Sequence, residues 1–204
     1  KLKERMMFYF GKEILQKLEE RVELIEGDLS LINLGLDSKQ LDHLKNKVES
    51  IIHCGGEVRH YGEREHFQKV NVQSTKYLLE LAKNTNARFH YISTLSVVGQ
   101  AESDPKEFEF FESDFDRGQN LDNLYLESKF QGEKMVREAM EKGVRATIYR
   151  VGNLVGNSKT GKFQYNINEN AFYRLLKGIC LSSIAPDVNT YVDLTPIDYG
   201  SLAI

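Results

Sequence analysis

A chain of 204 residues, 41% hydrophobic and 28% charged, is long enough to bury the core of one domain. Its net charge of −3 gives no electrostatic footprint for nucleic acid, and no apolar run approaches the roughly 20 residues a membrane span requires. Its two cysteines, Cys54 and Cys180, form no C-x-x-C pair and suit a reducing, cytoplasmic setting better than a disulfide scaffold.

Short apolar runs alternate with amphipathic stretches along the chain, which predicts a parallel sheet covered by helices on both faces. A helix is expected over about 2–20, then a strand in "RVELIEGD", a polar helix near 38–47 and a strand in "SIIHCGG". The longest helix covers roughly 65–84, with Phe67, Val70, Leu78, Leu79 and Leu81 as its apolar positions. "RFHYIST" is the next strand. A helix over about 122–141 is closed by Gly143, "RATIYRV" is a strand, and 168–177 is a short helix.

Between "RFHYIST" and the helix near 122 lies "ESDPKEFEFFESDFD", residues 102–116, with seven acids and four phenylalanines (Phe108, Phe110, Phe111 and Phe115). Two readings stand. The loop is a lid that places aromatics beside a substrate mouth, or a surface excursion whose rings dock on the core while the acids stay solvated.

Chemistry is concentrated in "YLESK". Tyr125 and Lys129 are four residues apart, and one helical turn puts them on the same face. An ammonium near a phenol favours the phenolate, so Lys129 is expected to lower the Tyr125 pKa. Thr94 ends a buried strand, the position at which open α/β sheets bind ligands. Together these three can hold, polarise and protonate a carbonyl oxygen. Other candidates are Asp28 at a strand end, the pair Gly55–Gly56, whose missing Cβ atoms permit close backbone approach, and Asn71, a poor helix former placed on a helix. His53, His60 and His66 are not spaced as a metal site, and no metal is expected.

The landmarks "VELIEGDLS", "SIIHCGGEV", "KVNVQSTKYLLELA", "HYISTLSVVG", "YLESKFQGEKMV", "ATIYRVGNLVG" and "YVDLTPIDYGSLAI" occur in an order that resembles extended short-chain dehydrogenase/reductases. The resemblance is nearest to the thioester-reductase domains (male-sterility-like NAD-binding domains) of nonribosomal peptide synthetases. It implies a doubly wound, Rossmann-like α/β domain spanning 1–204, with the start of a substrate lobe from about 155. It also implies that the N-terminal Gly-rich βα unit and most of the C-terminal lobe lie outside this sequence, so that these 204 residues alone are expected to be inactive.

The resemblance assigns catalysis to Thr94, Tyr125 and Lys129. Cofactor contacts fall to Asp28, Leu29, His53, Gly55, Gly56, Asn71, Tyr125, Lys129, Gly152 and Asn153. Val151 stands where relatives commonly carry Pro. The implied cofactor is NADP(H), with NAD left open, and the implied substrate is an acyl or peptidyl thioester on a carrier-protein phosphopantetheine arm within a multidomain synthetase. A fatty acyl-CoA or carboxylic-acid reductase shares these residues. So does a nucleotide-sugar epimerase or dehydratase, although Leu95 and Ser96 follow Thr94 where a dehydratase carries an acidic pair. A non-catalytic scaffold module is the alternative from another class.

Overall fold

The structure is a computed structural model that describes residues 2–100, 109–187 and 192–204. The chain divides into two compact units. One joins the segment ending at Leu24 to Asn153–Ala203, and the other is Ile25–Gly152.

In the first unit, α1 (Leu2–Glu19) is broken at Gly11, whose φ of 77° and ψ of 176° are not helical. Its aromatic edge is tied down by Tyr165, which donates its N–H to the Tyr9 hydroxyl at 2.6 Å and its own hydroxyl to Glu4 at 2.9 Å.

The second unit is built on a three-stranded parallel sheet. Its α2 (Ser38–Lys47) lies where the sequence predicts it, fixed by a capping box in which the Asp37 carboxylate accepts from Gln40 N–H at 2.8 Å and the Gln40 side chain returns the bond. Strand β1 (Ser50–His53) stops short of Cys54–Gly56. A helical run follows as α3 (Arg64–Phe67), a π-helical turn (Gln68–Gln73) and α4 (Ser74–Thr85). Then come β2 (Arg88–Thr94), α5 (Leu124–Glu141) and β3 (Ala146–Val151). The strand order is β1-β2-β3, all parallel, with His53 opposite Tyr91 and Thr94 opposite Val151.

Period-two alternation in β2 explains the core. Phe89 and Tyr91 point to one face and are buried against Leu79 and Ala82 of α4 and Val136 of α5. His90 and Ile92 point to the other, which is only half-buried.

"RVELIEGD" departs from expectation. Residues 22–28 form no strand, because no neighbouring backbone supplies a ladder, and the Asp28 N–H instead donates to the Leu34 carbonyl at 2.7 Å. In the first unit, β4 (Leu154–Val155) pairs in parallel with β5 (Thr195–Pro196). There α6 (Ala171–Ser182) starts and ends later than 168–177, since the Asn170 side chain caps it and Ser183 closes it in a left-handed conformation. The short α7 (Ile197–Ala203) follows β5.

Candidate active site

Parallel strands bring their carboxyl ends together, and α5 starts beside that edge. Asn123 caps the helix by accepting the Leu126 N–H at 3.0 Å, which places Tyr125 in the first turn and Lys129 one turn on. The Thr94 hydroxyl oxygen accepts the Ser96 N–H at 3.2 Å and lies near enough to the Tyr125 phenol to favour its ionised form. Thr94, Tyr125 and Lys129 are therefore gathered at one place.

The electrostatics differ from expectation. Burial pushes the Tyr125 phenol above its ordinary pKa, and the nearby Thr94 hydroxyl offsets part of that rise. Lys129 does not lower it, because its ammonium is directed elsewhere. Lys129 Nζ donates to the Ile92 carbonyl and sits 4.3 Å from the centre of the Tyr91 ring. Only 8% exposed, Lys129 is held down to about 8 by desolvation, against an opposing pull from Glu133. A phenol kept protonated at neutral pH suits a proton donor.

Asn71 is 2% exposed and lies in the π-helical turn. Its Oδ1 accepts the Glu57 N–H at 2.7 Å, while Nδ2 donates to the Glu57 carbonyl at 2.9 Å and to Ser128 Oγ at 2.7 Å. Ser128 in turn donates to the Tyr125 carbonyl at 2.8 Å. The extra residue of a π turn frees the Asn71 carbonyl for the Thr75 hydroxyl at 2.6 Å, and Thr75 also meets His53 Nε2 at 3.0 Å. Asn71 thus joins the loop after β1 to the first turn of α5, which carries Tyr125.

The remaining candidates are placed as follows. The His53 imidazole faces inward beside Phe89 and Tyr91, and burial drops its pKa to about 4. Its side chain is therefore not presented to a ligand. A Cβ on Gly55 would meet Leu29 Cδ1 at 2.7 Å, and one on Gly56 would meet Asn71 Oδ1 at 3.0 Å. The space these glycines vacate is filled by the protein's own side chains, Leu29 included. Asp28 is an exposed turn residue whose carboxylate accepts from the Ser30 N–H at 2.8 Å and hydroxyl at 2.7 Å. Gly152 follows β3 at the Thr94 edge. Asn153 belongs to the other unit, bonded through its backbone to the Asp193 carboxylate at 3.1 Å and the Thr195 N–H at 2.8 Å.

Sequence reasoning missed several supports. Glu133, fully buried, takes a forked bond from Arg150, with Nε 3.1 Å from both carboxylate oxygens and Nη2 at 2.8 Å. Arg150 also donates to the Asp114 carbonyl at 2.8 Å and lies over the Phe110 ring. Phe115 stacks on Phe130 at 4.3 Å, and Phe111 is exposed. The described part of the acidic loop is thus docked on α5 and β3; Phe108 falls outside the described residues. The His60 ring lies 6.1 Å from that of Tyr125 and 15° from parallel. Among the described residues, no cluster of three His, Cys, Asp or Glu is gathered for a metal, and no helix is long and apolar enough to cross a membrane.

Residues 1–204 match the NAD-binding family described as male sterility protein. The chain belongs to that NAD-binding family. The isonitrile lipopeptide synthase of Streptomyces coeruleorubidus is 29% identical over 189 residues, which is 91% of this chain but 12% of that protein. Among solved structures, the terminal R domain of the myxalamid PKS-NRPS pathway superposes with a TM-score of 0.80 at 33% identity, over 92% of this chain and 47% of that one. A thiolation-reductase di-domain of an archaeal nonribosomal peptide synthetase gives 0.81 at 30% identity, over 95% and 52%. The fold is accordingly the α/β, Rossmann-like fold of extended short-chain reductases. The chain spans about half the length of these solved domains and a small fraction of the lipopeptide synthase.

Proposed function

We propose that the protein carrying this chain releases an acyl or peptidyl chain from a carrier-protein phosphopantetheine arm by reducing its thioester to an aldehyde with NADPH. The observation that carries this reading is the approach of the Thr94 hydroxyl to the Tyr125 phenol with Lys129 one turn away, in a chain similar to reductase domains of peptide synthetases.

The residues present fit a nicotinamide nucleotide. Lys129 directs one N–H to Ile92 and keeps two donors for ribose hydroxyls. Asp28 offers an exposed acceptor carboxylate to an adenine amine. When bound, the nicotinamide supplies the hydride. Thr94 and Tyr125 hold the thioester oxygen as charge develops on it, and Tyr125 gives up its phenolic proton to that oxygen. In the resulting thiohemiacetal the carbon–sulfur bond then breaks as the hydroxyl proton is passed on and the departing sulfur is protonated, leaving an aldehyde and a free pantetheine thiol; a second hydride and proton would give the alcohol. NADP rather than NAD, the synthetase partner domains and a cytoplasmic setting are parts of the same proposal.

The test is NADPH consumption and trapped aldehyde from an acyl-pantetheine thioester, with the whole protein that carries this chain. Tyr125→Phe should cut turnover by about 10²-fold, the scale expected for loss of a positioned acid, and leave NADPH binding nearly unchanged. Undiminished turnover in that variant, or no aldehyde from the unaltered protein, overturns the reading.

A further inference from the structure

We propose that His60 is a positioning residue for Tyr125, a flat wall that fixes the orientation of the phenol. The turnover part of the claim rests on the thioester-reductase reading; the geometric part stands alone. The two rings are 6.1 Å apart and 15° from parallel, the offset arrangement in which aromatic faces attract.

The loop that presents His60 is anchored at both ends. Asn71 grips both the N–H and the carbonyl of Glu57. The Glu57 carboxylate collects the Arg59 N–H at 2.9 Å, Arg59 Nε at 3.0 Å and Arg59 Nη2 at 2.6 Å, with His66 Nε2 at 3.3 Å. On the far side, Gly62 has a φ of 156°, and a Cβ there would come within 3.2 Å of the Phe67 ring. Arg64 then forks onto Glu127, two residues beyond Tyr125, and Gln68 bonds Gln131 at 2.8 Å. His60 is therefore held against α5 by a cross-linked frame.

The loop and the helix leave a cleft between them. A cavity of about 380 Å³ lies between His60, Tyr61 and Gly62 on one side and Asp122, Asn123 and Glu127 at the start of α5 on the other. Tyr125 sits in the first turn of that helix, with the His60 ring over its face. Without the imidazole face its ring is free to turn away from the Thr94 hydroxyl.

The experiment compares the unaltered protein with His60→Ala and His60→Phe in two measurements. One is kcat and KM for NADPH-dependent thioester reduction. The other is the ultraviolet titration of the Tyr125 phenol, isolated by subtracting the Tyr125→Phe variant in each background. The groups near that phenol are the Thr94 hydroxyl from the end of β2, the His60 ring, and the buried Tyr91 phenol of β2. Loss of the covering ring should let water in and bring the phenol toward its ordinary value. His60→Ala should lower kcat roughly ten-fold with KM held, the scale of one lost aromatic stack, and shift the phenol titration downward. His60→Phe should restore both. Identical behaviour of His60→Ala and the unaltered protein in the titration overturns the proposal, and so does a Phe variant as impaired as the Ala variant, which would point to imidazole chemistry instead. If the unaltered protein reduces no thioester, the functional reading fails while the titration still decides the positioning claim.

Discussion

Gly132→Ala and Gly178→Ala should move stability in opposite directions, although both replace a glycine inside a helix. By helix propensity alone each change stabilises by about 1 kcal/mol. Gly178, in α6, has nothing within 4 Å of a built Cβ, so that gain should appear in full. Gly132, in α5, faces the ring of Tyr91, and a Cβ there would fall 2.0 Å from the Tyr91 hydroxyl oxygen and 2.7 Å from Cζ. Tyr91 is 1% exposed and cannot swing away without repacking. Overpacking of that kind costs about 1–3 kcal/mol, and losing the 3.4 Å bond from Tyr91 to the Lys129 carbonyl adds about 1 kcal/mol or less. After the propensity gain is subtracted, Gly132→Ala should destabilise by about 2 kcal/mol. Native-state hydrogen exchange, read separately for the amides of α5 and α6, measures both. If Gly132→Ala protects α5 as Gly178→Ala protects α6, then Tyr91 is not seated against this helix and the account of how α5 is held is wrong.

Lys129→Met should stabilise the fold by about 2 kcal/mol near neutral pH while abolishing turnover, because it removes a desolvated ammonium held near pKa 8 and sacrifices one hydrogen bond. That folded pKa lies below the ordinary value of 10.5, so the cost is full below about pH 8 and disappears as pH rises to about 10.5. The unaltered protein should gain stability across that window and the Met variant should not; parallel profiles in chemical denaturation would refute it. His53, held at about 4, behaves as a buried neutral imidazole whose contribution is present above its ordinary value of 6.5 and lost as pH falls toward 4. His53→Phe should flatten that acid limb. Glu133→Gln leaves the Arg150 guanidinium buried without its counter-charge and should cost about 3 kcal/mol, read as a fall in the denaturation midpoint.

Local patterns in the sequence foretold a good part of this architecture. The strand expected in "RFHYIST" corresponds to the full length of β2, and the polar helix expected near 38–47 is α2. The four-residue spacing of Tyr125 and Lys129 was readable, as was the buried polar task of Asn71. Features that depend on long-range partners were not. The direction of the Lys129 ammonium is set by the Ile92 carbonyl and the Tyr91 ring, both on a strand far away in sequence. Glu133 and Arg150 look like surface charges until β3 brings them together. Gly55 and Gly56 resembled room for a ligand, yet the neighbours that fill that room come from Leu29 and Asn71. The π turn leaves no mark in residue types, because one extra backbone residue preserves the apolar run on either side.

These hidden partners share one consequence for catalysis. Each residue of an α-helix turns the next by about 100°, so a small rotation of α5 would carry Tyr125 away from Thr94. Four contacts oppose that rotation from different sides. Arg64 holds Glu127, Asn71 holds Ser128, Tyr91 occupies the notch at Gly132, and Arg150 holds Glu133. Three of them come with unfavourable local choices: a π turn, a helical glycine and a buried charge pair. Such choices persist where positioning outweighs stability. The Tyr125 ring itself lies beside the Thr94 hydroxyl and under the face of His60, which is why substitutions at position 60 should touch turnover while those at positions 132 and 133 touch the fold first.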